Sequence, residues 1–306
     1  MHKYPKLYQL SIDLGCKVLE NEDMSKHTSF LIGGPADIFI EVSNKQALKK
    51  IISITQDEEI PVFILGNGSN ILVSDNGIKG AVIKLCGDFS QIRLLSDNKI
   101  ECGSAVSLSK LCSFALKNSL SGLEFAWGIP GSVGGAVYMN AGAYGGEIKD
   151  VIFSSSHIDA DNQEKTLEKD ELEMSYRTSF YSNKSYIITS SIFQLRKDSY
   201  ENIKAKMDDY INRRKSKQPL DFPSAGSVFK RPEGYFAGTL IEQCGLKGKS
   251  INDAMVSTKH CGFIINKGNA KCEDVLNLVG YIQDTVKDKT GVRLKCEIKK
   301  VGYFNK

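Results

Sequence analysis

The stretch GIPGSVGGAVYMNAGAYGGE, residues 128–147, is the most unusual part of the sequence. Seven of its twenty residues are glycine, and it contains no Lys, Arg or His. Backbone this bare can approach a flat or phosphate-bearing ligand closely, because no Cβ atom keeps the ligand away. Glycines also allow two segments of one protein to pack at close range. The stretch by itself therefore leaves a ligand seat and a packing device as alternatives.

A second glycine-rich segment, ILGNGSN at residues 64–70, follows the apolar run PVFILG. Gly66 and Gly68 allow consecutive N–H groups to point into one concavity, which is a common arrangement for binding anions. Ser69 and Asn70 add side-chain donors. A tight turn between strands is the simpler interpretation of this segment alone. Together, two such segments without a cationic clamp favour a bulky diphosphate cofactor that is held mainly by backbone amides.

Length and composition narrow the class of protein. A chain of 306 residues indicates two or three domains, and a net charge of +4 is mild. Such a charge suits an anionic small ligand and argues against a dedicated nucleic-acid binder. The N-terminal residues lack the apolar core of a signal peptide, and no stretch approaches the roughly 18 apolar residues of a membrane helix. We therefore predict a cytoplasmic protein that binds neither nucleic acid nor membrane, with reduced cysteines packed in its core.

Hydrophobic periodicity predicts an α+β fold with several small layers. We expect a helical N-terminal segment over 1–27 and a main domain boundary near Leu195. The other predicted elements are strands at 36–42, 61–66, 185–195 and 292–302, helices at 44–60, 108–120, 201–217 and 271–291, and a hairpin at 151–167.

Several familiar signatures are absent from the sequence. The GKS at residues 248–250 resembles the end of a P-loop, but Gln243 stands where the first glycine is required. There is no GxGxxG between a strand and a helix, no GxSxG and no HExxH. The four histidines His2, His27, His157 and His260 have no ligand spacing. We therefore expect no metal site, and we assign each histidine to a structural or surface role.

Six long motifs follow one another along the chain: HTSFLIGGPADIFIEV, ILGNGSNILV, GLEFAWGIPGSVGGAVYMNAGAYGGE, SYRTSFY, SAGSVFKRPEG and LKCEIKKVG. Together they resemble the motifs of the UDP-N-acetylenolpyruvoylglucosamine reductase (MurB) family, flavoenzymes of peptidoglycan synthesis. The resemblance extends from about residue 28 to 302. The short span between SYRTSFY and SAGSVFK is similar to the family's shorter subclass, which lacks a substrate-capping insertion.

The resemblance implies a fold and a reaction. It implies an FAD-binding region of the vanillyl-alcohol-oxidase (PCMH) type over 28–195, in two subdomains that divide near residue 85. A C-terminal α+β domain over 196–306 would bind the UDP-sugar substrate. NADPH would reduce FAD, and a hydride would then pass to the enolpyruvyl group, which yields UDP-N-acetylmuramate. No histidine matches the covalent attachment site of related flavoenzymes, so we expect non-covalent FAD. Separately, we expect the enzyme to be a monomer.

The same resemblance assigns the two glycine-rich segments to FAD. Because these segments lack cations, we expect main-chain amides and local dipoles to hold most of the cofactor's negative charge. The implied cofactor residues are Leu65, Gly66, Asn67, Gly68, Ser69, Asn70, Ile71, Pro130, Gly131, Ser132, Gly134, Gly135, Asn140, Ala141 and Gly142.

The implied chemistry needs a cation and a hydrogen-bond donor at the substrate carboxylate, because an enol ether accepts a hydride poorly unless that carboxylate can take up charge. Arg177 in SYRTSF suits this role, since guanidinium binds carboxylates bidentately. A surface ion pair with Glu171 or Glu173 is the alternative. Glu297 is the one acid among basic residues on the polar face of its predicted strand. Near the developing charge its carboxyl group would donate a hydrogen bond when protonated, or position a donor. A solvated cross-strand salt bridge is the alternative.

The resemblance makes Ser227 in AGSVF the proton donor to the α-carbon; a structural serine at a turn or strand start is the alternative. Tyr176, Lys230 and Lys247 match positions that bind the substrate in the family, with solvated lysines as the alternative. Two further hypotheses stay open. One is a related flavin oxidoreductase with another acceptor, and the other is a flavin-binding module without turnover.

Overall fold

The computed structural model describes residues 2–304 of the chain. These residues form eight α-helices and eighteen β-strands. The helices are α1 Pro5–Asp13, α2 Lys45–Asp57, α3 Leu108–Lys117, α4 Val133–Tyr138, α5 Ile148–Val151, α6 Tyr200–Lys217, α7 Ala237–Gln243 and α8 Cys272–Thr290. The strands are β1 Lys17–Asp23, β2 Pro35–Val42, β3 Val62–Leu65, β4 Ile71–Val73, β5 Ile78–Leu85, β6 Ile92–Ser96, β7 Lys99–Gly103, β8 Leu120–Ser121, β9 Gly142–Ala143, β10 Gly146–Glu147, β11 Ile152–Ile158, β12 Glu164–Glu168, β13 Ile187–Gln194, β14 Arg196–Lys197, β15 Ser250–Ile251, β16 Ala254–Val256, β17 Ile264–Asn266 and β18 Lys299–Val301.

The chain divides into two compact units that interleave along the sequence. Unit 1 contains residues 2–19, 38–67 and 81–214, and unit 2 contains residues 20–37, 68–80 and 215–304. The chain passes from one unit to the other inside β1, β2, β5 and α6, and again after Asn67. The predicted division into 1–27, 28–195 and 196–306 stays a prediction about domains.

Unit 1 has two hydrophobic cores. The first lies around the four-stranded sheet β1-β2-β5-β3 and includes apolar residues of α1 and α2. The second lies around the five-stranded antiparallel sheet β12-β11-β13-β7-β6 and includes apolar residues of α3 and α4. The opening glycine-rich stretch belongs to this second half, because α4 lies within it.

Local signals explain most elements of unit 1. The Asn44 side chain accepts a hydrogen bond from the Ala47 N–H and caps α2, whose Leu48 and Ile51 are fully buried. The predicted helices at 44–60 and 108–120 and the predicted hairpin are confirmed. The N-terminal segment differs from the prediction, since its helix ends at Asp13 and β1 follows.

The predicted buried strand at 61–66 forms β3, but Val62 is exposed and only Leu65 of the strand is buried. The reason is the position of β3 at the edge of its sheet, where one side of the strand lacks a neighbour. An apolar run does not distinguish an edge strand from a central one.

Unit 2 packs α7 and α8 around one core with the antiparallel sheet β15-β16-β17. The Asp75 carboxylate caps α8 by accepting the N–H groups of Cys272 at 2.8 Å and Glu273 at 3.1 Å. The short parallel pair β4–β18 joins two distant parts of the chain. The predicted strand at 292–302 is regular only over Lys299–Val301, so most of that prediction is wrong.

Candidate active site

Residues 64–67 of the second glycine-rich segment lie beside the opening stretch within unit 1. The Asn67 Nδ2 atom donates to the Pro130 carbonyl at 3.4 Å. A Cβ atom built on Gly66 would stand 2.6 Å from the Ser132 Oγ atom, so a side chain there would displace that hydroxyl group. Asn67, Pro130 and Gly135 are exposed on the protein, and none is charged. The structure therefore forms one open, uncharged surface from segments that are far apart in the sequence.

Contacts within the protein account for part of the glycine content. Gly134 lies in the first turn of α4, where a Cβ atom would stand 2.9 Å from the Ser104 Cβ atom. Ser132 caps the same helix, because its Oγ atom accepts the Gly135 N–H at 3.3 Å. At Gly134 close packing within unit 1 therefore requires glycine whether or not a ligand binds nearby.

The segment that follows Gly66 is anchored within unit 2. Gly68 has a φ of +63°, and a Cβ atom there would stand 2.1 Å from the His27 carbonyl oxygen. The Gly68 carbonyl accepts the Ser29 N–H at 3.1 Å. The tight-turn interpretation thus describes the backbone of this loop correctly, and it leaves a role in ligand binding open.

Asn140 organises the end of the opening stretch. Its side chain is fully buried, and its Nδ2 atom donates to the Ser175 carbonyl and to Glu147, each at 3.0 Å. Its Oδ1 atom accepts the Lys149 N–H at 2.9 Å. Asn140 thereby ties residues 140–149 to the SYR motif, and its predicted contact with the cofactor stays a prediction.

Arg177 lies against the same segment. Its Nη2 atom donates to the Gly142 carbonyl at 3.1 Å, and its guanidinium carbon lies 5.2 Å from the centre of the Tyr176 ring. Arg177 has a φ of +56°, so the fold holds it in an uncommon backbone conformation. Burial would raise the pKa of Glu147, but hydrogen bonds from Lys149 and Asn140 and the charge of Arg177 lower it. The guanidinium is oriented by contacts inside unit 1.

Ser227 and Glu297 come together in unit 2. The Glu297 N–H donates to the carbonyl of Val228, the residue after Ser227, at 2.7 Å. The Lys230 N–H donates to the Lys295 carbonyl at 2.8 Å, which extends this pairing. The Asn70 Nδ2 atom contacts the Glu297 carbonyl at 3.5 Å. Three predicted site residues that are distant in sequence, Asn70, Ser227 and Glu297, are therefore neighbours.

The environment of Glu297 differs from the predicted polar strand face. Glu297 is only 9% exposed, whereas Arg293, Lys295 and Lys299 are exposed as the alternation predicts. The Glu297 carboxyl group is therefore buried rather than solvated. The alternation fails because this segment pairs through the isolated bridge Phe229–Cys296 rather than as one regular strand.

The two predicted substrate-binding lysines, Lys230 and Lys247, have different environments in the structure. The Lys247 Nζ atom lies 2.8 Å from Glu242 in a surface ion pair, which raises the pKa of Lys247. Lys230 is partly buried beside the Ser227 pairing.

The predicted site residues are divided between the two units. Unit 1 contains the predicted residues Leu65, Gly66, Asn67, Pro130, Gly131, Ser132, Gly134, Gly135, Asn140, Ala141, Gly142, Tyr176 and Arg177. Unit 2 contains Gly68, Ser69, Asn70, Ile71, Ser227, Lys230, Lys247 and Glu297.

Sequence reasoning missed the turn at residues 257–263, whose Phe263 pairs with Ser227. It assigned His260 in this turn to the structural or surface histidines. The spacing of STKHCGF does not show that the turn faces Ser227, because thirty or more residues separate them in the sequence.

Across residues 2–304 no three acidic, histidine or cysteine side chains form a metal-binding group. No helix in that range is long and apolar enough to cross a bilayer.

Known proteins resemble this chain along nearly its whole length. The UDP-N-acetylenolpyruvoylglucosamine reductase of Caldanaerobacter subterraneus subsp. tengcongensis is 51% identical over 288 residues, covering 94% of each chain. That of Clostridium novyi is 48% identical over 303 residues, covering 95% of this chain and 97% of that one. The chain belongs to the UDP-N-acetylenolpyruvoylglucosamine reductase family.

Domain models and a solved structure agree with this membership. The family's C-terminal domain matches residues 218–301, and an FAD binding domain matches residues 36–167. The crystal structure of the Thermus caldophilus reductase (MurB) has a TM-score of 0.80 and 34% identity, covering 94% of this chain and 98% of that one. The predicted family is confirmed, as is a mixed α and β fold in which an FAD-binding domain is followed by the family's C-terminal domain.

Proposed function

We propose that this chain is an NADPH-dependent FAD enzyme. It reduces UDP-N-acetyl-3-O-(1-carboxyvinyl)-glucosamine to UDP-N-acetylmuramate for peptidoglycan synthesis. The observation that carries the proposal is the backbone pairing of Glu297 with Val228, next to Ser227, in a chain of this family. Ser227 and the buried Glu297 thus lie on paired backbone segments, and a hydroxyl and a carboxyl group are the two kinds of donor that the reaction needs.

The open surface around Gly66, Asn67, Pro130 and Gly135 is suited to a diphosphate-bearing cofactor. It offers main-chain amides without bulky side chains, and its two loops are fixed against each other. When FAD is bound, it supplies the hydride to the substrate and is reduced in turn by NADPH. Non-covalent attachment, a cytoplasmic location and a monomeric state complete the proposal.

Arg177 would bind the carboxylate of the enolpyruvyl group. Its guanidinium has five N–H donors, and one of its nitrogens already donates to the Gly142 carbonyl. That contact orients the planar group before substrate arrives, so less conformational entropy is lost on binding. A fixed positive charge stabilises the negative charge that develops on this carboxylate when the terminal carbon accepts hydride.

Ser227 would donate the proton that completes the reduction. The O–H bond of Ser227 breaks, a C–H bond forms at the α-carbon, and the serine oxygen then regains a proton from solvent. Serine is a weak acid, but an enediolate carbon is a strong base, so the transfer is favourable. The paired backbone around Ser227 fixes the main chain from which its hydroxyl group extends.

Glu297 would donate a hydrogen bond to the developing charge or position such a donor. Glu297→Gln keeps a donor of nearly the same shape, and we expect it to slow substrate-dependent flavin reoxidation about tenfold. Glu297→Ala removes the group, and we expect a loss of about a hundredfold. Glu273→Gln on the exposed start of α8 is the control. Equal losses in the Gln and Ala variants would contradict a role as donor and indicate a need for the carboxylate.

Turnover tests the function as a whole. Purified protein should carry flavin with absorption bands at about 370 and 450 nm. NADPH oxidation should depend on enolpyruvyl-UDP-N-acetylglucosamine. Turnover with a different acceptor only would favour a related flavin oxidoreductase. Flavin binding without any turnover would favour a binding module, and protein that cannot be reconstituted with FAD would contradict all three hypotheses.

A further inference from the structure

The turn at residues 257–263 is held by side chains of its own. The buried Ser257 Oγ atom accepts the N–H groups of Lys259 at 3.1 Å and His260 at 3.2 Å. The His260 Nδ1 atom accepts the N–H of Gly262 at 3.1 Å, and the Phe263 N–H donates to the His260 carbonyl at 2.9 Å. The imidazole therefore fixes the orientation of the peptide that precedes Gly262 Cα.

This turn is the direct neighbour of Ser227. Ser227 forms an antiparallel bridge with Phe263, and the Val228 N–H donates to the Gly262 carbonyl at 2.9 Å. A Cβ atom on Gly262 would stand 3.4 Å from the Ser227 Oγ atom and 2.9 Å from the His260 Cε1 atom. Gly262 thus lies between the imidazole and the hydroxyl group, and a displacement of its backbone would move into the space beside Ser227.

The imidazole is itself confined. A Cβ atom on Gly238, in the first turn of α7, would stand 3.3 Å from the His260 Cε1 atom and 3.2 Å from the Gly262 nitrogen. The Phe263 ring contacts the imidazole edge-on, with centroids 5.0 Å apart. With the ring held on two sides, the Gly262 N–H has one well-defined acceptor.

The acceptor role requires a neutral ring, because Nδ1 cannot accept once it carries a proton. The hydrogen-bond pattern assigns the neutral tautomer with its proton on Nε2. Burial lowers the pKa of His260, against the opposing influence of the Glu242 carboxylate on α7. The other titratable groups in or beside this turn include Lys259, whose Nζ atom donates to the Lys215 carbonyl at 2.6 Å, Lys247, which pairs with Glu242, and the thiol of Cys261. The hydrogen-bond geometry and the burial of the ring both favour its neutral form.

We propose that His260 is a positioning residue for Ser227, whose hydroxyl group it holds in place through the Gly262 peptide. The proposal rests on the proposed function, in which Ser227 protonates the substrate. His260 acts only through the backbone of the turn, and no proton passes through it. It should therefore affect protonation of the substrate and leave the reduction of the flavin by NADPH unchanged.

Two substitutions at His260 distinguish the role of its hydrogen-bond acceptor from that of the ring itself. His260→Asn places an amide oxygen near the position of Nδ1, and His260→Leu provides no acceptor. We expect His260→Leu to slow flavin reoxidation by the enolpyruvyl substrate about tenfold to a hundredfold, as small misplacements of a reacting group do. His260→Asn should recover most of this loss. Both half-reactions are followed by stopped-flow absorbance in holoenzyme with matched flavin content, and His2→Leu at the exposed N-terminus is the control.

The pH profile adds a second measurement. In the wild-type enzyme, protonation of Nδ1 on acidification replaces the acceptor by a donor that faces the Gly262 N–H, so reoxidation slows. In His260→Asn, the decrease in reoxidation rate on acidification that is due to protonation of His260 should be absent. If the reoxidation rate of His260→Asn decreases at acidic pH as it does in the wild type, the proposal is overturned.

The remaining outcomes test the positioning role of His260 and the proton-donor role of Ser227 separately. Equal slowing of both half-reactions, or no slowing in His260→Leu, would overturn the positioning role. If Ser227→Ala is slow and the His260 variants are not, only this inference fails. If Ser227→Ala reoxidises at the wild-type rate, the proposed proton donor fails, whatever the His260 variants do.

Discussion

Ser227→Ala is expected to slow reoxidation of the reduced flavin by the enolpyruvyl substrate about 1,000-fold, within the range that general-acid catalysis contributes. Reduction of the flavin by NADPH should keep its wild-type rate, because that half-reaction involves no protonation of the substrate. The measurement is anaerobic stopped-flow absorbance of each half-reaction. The hydroxyl group takes no part in the backbone pairing of residues 227–230, so the variant should fold normally.

Ser250→Ala is the matched control for this prediction, since Ser250 is an exposed serine at the start of a strand in the same unit. It should reoxidise like the wild type. Collapse of flavin reduction in Ser227→Ala would show that the proton-donor role is misassigned, because a proton donor to the substrate acts only after hydride transfer.

Arg177→Lys is expected to slow reoxidation by the substrate about a hundredfold to a thousandfold, the range found when a donor to a developing oxyanion is lost. Lysine keeps the positive charge but cannot bind a carboxylate bidentately, and it cannot reproduce the planar contact with the Gly142 carbonyl. Arginine and lysine both carry a Cβ atom, so the positive φ of +56° at position 177 strains the backbone equally in both. Half-reaction rates and flavin content are the measurements.

Arg93→Lys is the control for this variant, because Arg93 is an exposed residue that pairs with Glu101 on the five-stranded sheet. Wild-type reoxidation in Arg177→Lys would contradict bidentate recognition of the substrate carboxylate. Loss of FAD from this variant with a normal rate per bound flavin would instead indicate that Arg177 supports the Gly142 segment.

Local sequence signals predicted most helices and several strands. The helix α2 begins at a capping asparagine and has apolar residues at helical spacing, and both signals lie within one short segment. The hairpin β11–β12 was equally clear from its apolar strand and its DADNQ turn. These elements were predictable because neighbouring residues alone provide the information for them.

Tertiary pairing decided the features that the sequence pattern described wrongly. The apolar segment of β3 lies at a sheet edge, and the alternating segment before β18 forms an isolated bridge instead of a long strand. Burial of Glu297 follows from that irregular pairing. A strand's position in a sheet depends on partners far away in the chain, and one sequence does not reveal them.

By itself, the sequence determined the family, the fold class and the residue types of the proposed site, because its six motifs occur in order over nearly the whole chain. It left open whether the opening glycines serve packing or a ligand, and only the structure showed close packing at Gly134 and contact between the loops at Gly66 and Ser132. Only the structure paired Glu297 with the Ser227 segment and brought His260 to it. The physical reason is that motifs record residue identity, whereas neighbours across long loops are selected by backbone pairing and burial.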